Sequence, residues 1–83
     1  MSDDEFDVVD ELYFLLSYKE LQNRVGNTVN NFEEILFSLI SNGLVKCLPE
    51  ESEEEISDLS LIKMNYTNYY YLATKKGLLE HYS

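Results

Sequence analysis

The chain has 83 residues, which suffices for one domain with one modest hydrophobic core and excludes a two-domain arrangement. Its apolar share of 45% is that of a folding chain and argues against intrinsic disorder. The net charge of -10 disfavours long-range attraction to nucleic acid or to anionic lipid, and it favours basic partners. We therefore expect a single domain over residues 1–83.

Capping boxes predict where the first two helices begin. Residues 2–5 and 17–20 each begin with serine and end with glutamate, so that each serine can cap a helix N-terminus. The first predicted helix runs to about Leu16, and the second ends at Gly26, which we expect in the left-handed conformation. The inward-facing positions of these two helices are predicted to be Phe6, Val9, Leu12, Tyr13, Leu16, Tyr18, Leu21 and Val25.

A third helix is predicted between Thr28 and Gly43. Thr28 is a suitable N-cap residue, and Gly43 is a natural helix end. Most apolar residues of the segment 29–42 recur at helical period and form one stripe, which Gly43 ends. This stripe consists of Val29, Phe32, Leu36, Leu39 and Ile40.

The remainder of the chain is predicted to form a small antiparallel sheet and a closing helix. Pro49 and a run of glutamates interrupt the sheet region, and this acidic run is predicted to be a loop. The predicted pieces are a strand at 44–48, the acidic loop at 50–58, extended segments at 59–64 and 69–73 joined by a turn at 65–68, and a helix at 75–82 that Thr74 caps.

The segment 20–45 carries a pattern typical of one family. Residues 20–28 read E-L-x-x-R, an apolar residue, then G-x-T, and residues 43–45 read G-L-V. This pattern resembles winged helix-turn-helix domains of bacterial regulators, and residues 71–77 are similar to the family's last wing strand and following helix. The resemblance implies an α+β fold with a three-helix core, a small antiparallel wing sheet and a short C-terminal helix.

The resemblance also implies which residues would contact DNA. In the family the third helix enters the major groove. The corresponding DNA face of this chain would consist of Arg24, Asn30, Asn31, Lys75 and Lys76. The two asparagines can read adenine, but basic side chains normally supply most of the affinity by neutralising phosphates. The outward positions of the third helix carry no basic residue. The predicted wing at 50–58 contains acidic residues and no basic one, so charge disfavours DNA binding.

A second group of residues is a candidate protein interface. It consists of Phe37, Tyr66, Tyr69, Tyr70 and Tyr71. Phe37 points outward on the helical wheel. Its ring is either an interface anchor or is covered by helix one or the wing. We favour a covered ring because most aromatic rings are buried. Consecutive tyrosines alternate across a strand, so either one ring forms an exposed patch or the strand uses tyrosine for its β-propensity alone.

Chemistry-bearing motifs are absent from the sequence. There is no phosphate-binding glycine loop, nucleophile elbow, zinc spacing or EF-hand pattern, so we expect neither an enzyme nor a cofactor, metal or small-molecule substrate. Cys47 and His81 are the sole thiol and imidazole, and we interpret them as a packed strand residue and a helix-terminal residue. A cytoplasmic location is expected because residues 1–5 lack signal-peptide character, no long apolar run occurs, and a lone cysteine fits a reducing compartment.

Three functions are open at this point. The first is a non-catalytic winged-helix module that binds a protein partner or itself through the tyrosine strand, the wing or helix one. The second is a DNA-binding transcriptional regulator that uses the helix at residues 29–42. The third is an acidic mimic of nucleic acid, which would bind a basic DNA-binding protein.

Overall fold

Five α-helices and a three-stranded antiparallel sheet form the part of the chain that the computed structural model describes, residues 1–49 and 54–82. The fold class is α+β. In chain order the elements are α1 (Asp3–Glu11), β1 (Leu16–Ser17), α2 (Tyr18–Val25), α3 (Phe32–Ser41), β2 (Val45–Leu48), α4 (Leu59–Asn65), a 3-10 turn (Tyr66–Asn68), β3 (Tyr70–Ala73) and α5 (Lys75–Tyr82).

Both predicted capping boxes are confirmed. The Ser2 hydroxyl accepts from the backbone N–H of Glu5 at 3.2 Å, and the Glu5 carboxylate accepts from the Ser2 N–H at 3.1 Å. Ser17 and Glu20 repeat the arrangement at the start of α2, with both distances 3.2 Å. The predicted cap at α5 is also present, because the Thr74 hydroxyl accepts from the Gly77 N–H at 3.0 Å. Gly43 has the positive φ of 75° expected at the end of α3.

The strand β3 lies in the centre of the sheet, and its neighbours are β1 and β2. Leu16 of β1 pairs with Tyr71 on one side of it, and Cys47 of β2 pairs with Tyr71 on the other. Tyr71 is fully buried, and its hydroxyl donates to the Tyr66 carbonyl at 2.6 Å. Burial is the main cause of a Tyr71 pKa well above its usual value. The face of the sheet that carries Tyr71 therefore lies against the helices.

The hydrophobic core lies between this sheet and the first three helices. It includes most of the inward positions predicted from the sequence, together with Val8, Leu44, Val45 and Ile62. Two of the predicted positions, Phe6 and Tyr13, are instead more than one-third exposed. Tyr18 is buried, and its hydroxyl donates to Glu33 Oε1 at 3.2 Å. Burial, followed by the negative charge of Glu33, raises the pKa of Tyr18 to about 12.

The first helix ends earlier than predicted. It stops at Glu11, and Leu16 belongs to β1, the short strand that the sequence pattern did not indicate. The Leu12 carbonyl accepts from the Ala73 N–H at 2.9 Å, so the chain after α1 is held beside β3 rather than continuing as a helix. Sheet pairing at this point overrides the helical spacing of the apolar residues.

The junction between α2 and α3 also differs from the prediction. Gly26 has φ -59° and ψ -25°, which is right-handed helical geometry, and Thr28 donates its hydroxyl back to the Val25 carbonyl at 3.1 Å. Thr28 thus completes the end of α2 and does not cap α3. The left-handed residue is Asn31, with φ 55°, and α3 begins directly after it. Asparagine tolerates this conformation better than most non-glycine residues.

The extended segment predicted at 59–64 is wrong, because these residues belong to the helix α4. Asp58 caps this helix, its Oδ1 accepting from the N–H groups of Ser60 at 3.0 Å and Leu61 at 3.4 Å. The leucines, lysine and methionine that follow are good helix formers, so capping and propensity together favour a helix over the predicted extended segment. Of the predicted acidic loop, residues 50–53 lie outside the described part of the chain; Ile56 forms a bridge with Cys47.

Candidate interaction surface

The imidazole of His81 joins α5 to α1. Its ring stacks on Phe6 with centroids 4.0 Å apart and meets the Tyr13 ring edge-on at 5.2 Å. Nδ1 lies 2.8 Å from the Tyr13 hydroxyl, and Nε2 lies 3.2 Å from Asp10 Oδ1. These contacts place α5 against one side of α1, with the side chains of Phe6 and Tyr13 at the boundary between the two helices.

Large apolar side chains are exposed around this helix pair. We call the set Phe6, Tyr13, Phe14, Leu15, Leu79 and Tyr82 the α1–α5 surface. Within it Phe14 is 77% exposed, Leu15 51%, Leu79 61% and Tyr82 84%. Leu79 and Tyr82 are three residues apart on α5 and thus lie on one stripe. Tyr13, His81 and Tyr82 also line a common cleft of about 370 Å³. Clustered exposure of this kind is typical of sites that bind another molecule.

A row of carboxylates borders the α1–α5 surface. Asp3, Asp7 and Asp10 are spaced four and three residues apart, so they lie along one side of α1, and all three are exposed. Asp10 marks the orientation of this row, because its carboxylate faces His81 of α5. The helix α1 contains six acidic residues and no basic one. The apolar surface therefore has a strongly negative edge.

The predicted protein interface is mostly packed against the core. Tyr71 is fully buried, so its assignment to an exposed patch is wrong: its ring points to the inner face of the sheet. Tyr66 and Tyr69 are partly buried on the core, and Tyr70 is half-buried. Phe37 is half-buried as well, because Tyr66 meets its ring edge-on at 5.3 Å and the Lys63 ammonium lies 5.7 Å above it. The cover over Phe37 comes from α4 and the 3-10 turn after it.

The exposed start of α3 is bordered by carboxylates. Asn30 and Asn31 are exposed and share a cleft of about 330 Å³ with Glu34, Asp4 and Glu5, the last two from the N-terminal turn of α1. A phosphate group approaching the two asparagines would therefore meet the acidic first turn of another helix. This arrangement opposes the electrostatic attraction on which DNA affinity depends.

The basic residues of the predicted DNA face do not lie together with these asparagines. Lys76 donates its Nζ–H to the Asn42 carbonyl at 3.1 Å, which places it at the C-terminal end of α3, about 15 Å of helix from Asn31. Arg24 forms an ion pair with Glu11 at 3.3 Å, and Lys75 is exposed on the first turn of α5. The five residues therefore do not form one continuous basic face.

Sequence reasoning missed four members of the α1–α5 surface, namely Phe14, Leu15, Leu79 and Tyr82. The sequence predicts helix one as one possible contact surface and does not identify these individual side chains. A signal was present at residues 12–16, where five consecutive apolar residues follow the acidic helix. Neither a helix nor a half-buried strand can bury all of such a run, so some of these side chains had to be exposed.

The lone thiol, Cys47, is fully buried on β2, and burial raises its pKa to about 11. At pH 8 this pKa lowers the thiolate fraction by about 100-fold relative to the ordinary value of 9.0. We expect an aromatic disulfide reagent to modify the native protein at least about 100-fold more slowly than the protein in denaturant. Equal rates in the native and denatured protein would contradict this placement of Cys47.

Comparison with protein-family models, with curated proteins and with solved structures gives no match to this chain. Within residues 1–49 and 54–82, no helix has the length and apolar character needed to cross a bilayer. The same residues contain no group of three or more His, Cys, Asp or Glu side chains placed to hold a metal ion. The geometry of the chain itself is thus the basis for any functional assignment.

Proposed function

We propose that this chain is a non-catalytic winged-helix module that binds another protein through the α1–α5 surface. The observation that carries the proposal is the exposure of Phe14, Leu15, Leu79 and Tyr82 on α5 and on the turn after α1, where His81 of α5 contacts the half-exposed rings of Phe6 and Tyr13. Burying such side chains against a partner is favourable by about 25 cal/mol per Å² of apolar surface removed from water. Aromatic side chains are also the commonest anchors of protein interfaces.

The winged-helix part of the proposal is supported by the order of the elements. Three helices precede the antiparallel pair of β2 and β3, and β3 leads directly into α5. This is the order that the motif at residues 20–45 and the junction at residues 71–77 indicated. The helix α4, between β2 and β3, stands where a simple wing would continue as a strand.

The choice of protein over DNA rests on charge. The start of α3 shares its cleft with carboxylates of α1, and Lys76 lies at the opposite end of α3. Six basic residues are opposed by 16 acidic ones over the whole chain. With this distribution of charge, the start of α3 would be repelled electrostatically by the phosphates of a DNA duplex.

We would test the proposal by placing a photo-crosslinking amino acid at position 14 in cells that express the chain. The expected result is a discrete protein adduct, which a second substitution, Tyr82→Ser, abolishes. Position 64 is the matched control, because Met64 is 79% exposed but lies on α4, away from the α1–α5 surface. Adducts of equal yield at positions 14 and 64, or none at either, would contradict the proposal.

A titration with mixed-sequence duplex DNA at low salt separates the regulator from the interaction module. In an interaction module the amide resonances of residues 29–37 and of Lys75 and Lys76 should stay in place. Displacements clustered at those residues, with a steep dependence on salt, would make the chain a DNA-binding regulator instead.

A further inference from the structure

We propose that the partner bound by the α1–α5 surface is a basic amphipathic helix of another protein. This inference rests on the proposed function and adds the chemistry of the partner. The apolar face of such a helix would cover Phe14, Leu79 and Tyr82, and its lysine and arginine side chains would lie against the carboxylates of Asp3 and Asp7.

The charge of the surface favours a basic partner. Acidic residues outnumber lysines by seven to two on α1 and α5 together. The row of Asp3, Asp7 and Asp10 is parallel to the axis of α1, so it offers carboxylates at intervals close to one helical turn. Basic side chains repeated on one face of a partner helix match this spacing. This charge complementarity would speed the encounter of the two proteins and set the orientation of the partner helix. The aromatic side chains would supply the apolar area that becomes buried in the complex.

The same charge disfavours a second copy of the chain as the occupant. In a two-fold symmetric dimer one surface would meet an identical one. Each copy carries a net charge of -10, and each brings six acidic residues on α1 against only Lys75 and Lys76 on α5. These charges would come within about one Debye length, about 10 Å at 0.1 M salt, where repulsion is only partly screened.

The shape of the surface favours a helix over an added strand. Its side chains come from α1, from the turn after α1 and from α5, and no strand of the sheet contributes to it. A strand added to a sheet edge would need backbone N–H and C=O groups as partners, whereas a helix needs only an apolar strip between two helices. Two helices of nine and eight residues, about 12–14 Å long, suit a partner of about two to three turns.

The experiment uses two synthetic helical peptides with the same leucine face, one with lysine and the other with glutamate at every polar position, each labelled with one tryptophan. The chain itself contains no tryptophan, so peptide fluorescence reports binding without interference. We expect the lysine peptide to bind at least about tenfold more tightly than the glutamate peptide, and to lose most of this preference between about 0.05 M and about 0.5 M salt.

Two pairs of surface variants locate the binding site. Phe14→Ser with Tyr82→Ser should weaken binding of the lysine peptide at least about tenfold, while Met64→Ser on α4 should leave it unchanged. Asp7→Lys should weaken it several-fold, whereas Glu34→Lys, an equal charge change at an exposed position of α3, should have little effect. All five positions are exposed, so folding is expected to survive, and circular dichroism checks it.

Failure of this inference can be told apart from failure of the proposed function. Equal binding of both peptides at Phe14 and Tyr82 would show an apolar site without charge preference and would overturn the basic partner alone. A concentration-dependent dimer in sedimentation, dissociated by the double serine variant, would make a second copy the occupant. Binding of the lysine peptide that both charge variants weaken equally would show non-specific attraction and would also overturn the inference.

Discussion

Replacing Gly77 with alanine is expected to destabilise the fold by about 3 kcal/mol, although glycine-to-alanine changes within helices usually stabilise by about 0.5–1 kcal/mol. Gly77 is buried on α5 against the backbone of Leu44. An added methyl carbon would overlap the Leu44 carbonyl oxygen, and it would lie 3.0 Å from the carbonyl carbon and 3.3 Å from Cα. Because these are backbone atoms, no rotamer change can remove the overlap, and α5 must move away from the chain that leads into β2.

Chemical denaturation of the Gly77→Ala protein measures this effect. Gly43→Ala is the matched control, because Gly43 has space for a methyl group but a positive φ of 75°, which should cost only about 1–2 kcal/mol. A domain of this length has a stability on the order of 4–12 kcal/mol, so the difference between the two variants is measurable. A Gly77→Ala protein as stable as the parent would show that α5 does not pack on Leu44 as described.

Replacing Ile62 with alanine is expected to destabilise the protein by about 3 kcal/mol. Ile62 is fully buried and is the one buried side chain within α4. Its removal would leave a cavity beneath α4 and weaken the packing of that helix against α3. Met64→Ala is the control, because Met64 is 79% exposed and its truncation should change stability by less than about 0.5 kcal/mol.

The comparison of these two variants also tests the helical assignment of residues 59–65. A strand would place Ile62 and Met64 on the same face, since side chains alternate with a period of two, whereas α4 places them about 160° apart. Similar losses of stability in Ile62→Ala and Met64→Ala, in thermal or denaturant unfolding, would therefore contradict α4.

Much of the fold could be predicted because its signals are local. The two serine–glutamate capping boxes, the positive φ of Gly43 and the Thr74 cap each involve residues three or fewer positions apart or a single backbone conformation. Such features depend little on the rest of the molecule. The strands β2 and β3 were likewise predicted within one residue of their limits.

The errors occurred where distant parts of the chain decide the conformation. The strand β1 has two residues and exists because Leu16 pairs with Tyr71, which no local pattern reveals. In α4 the burial of Ile62 adds to a local Asp58 cap, which the prediction of an extended segment at 59–64 overlooked. Asn31 takes the left-handed conformation that the sequence pattern assigned to Gly26.

The candidate site was predicted less well than the fold for a related reason. Exposure of a side chain depends on what the tertiary structure places over it. Phe37 and Tyr66 cover each other, and Tyr71 lies inside the sheet, whereas Phe14 and Tyr82 receive little cover from the described residues. The prediction of a basic partner depends on charge composition, which needs no knowledge of packing, and it stays a prediction.

The position of β3 determines when the domain can fold during its synthesis. The central strand of the sheet is the last one along the chain, and it pairs with β1 across most of the chain length. Until residues 70–73 have been synthesised, helices α1 to α3 lack the Tyr71 side chain that completes their core, and the edges of β1 and β2 have no neighbour. The domain therefore has to fold after β3 has been synthesised, and a nascent chain halted before residue 70 would expose its core residues to chaperones and proteases.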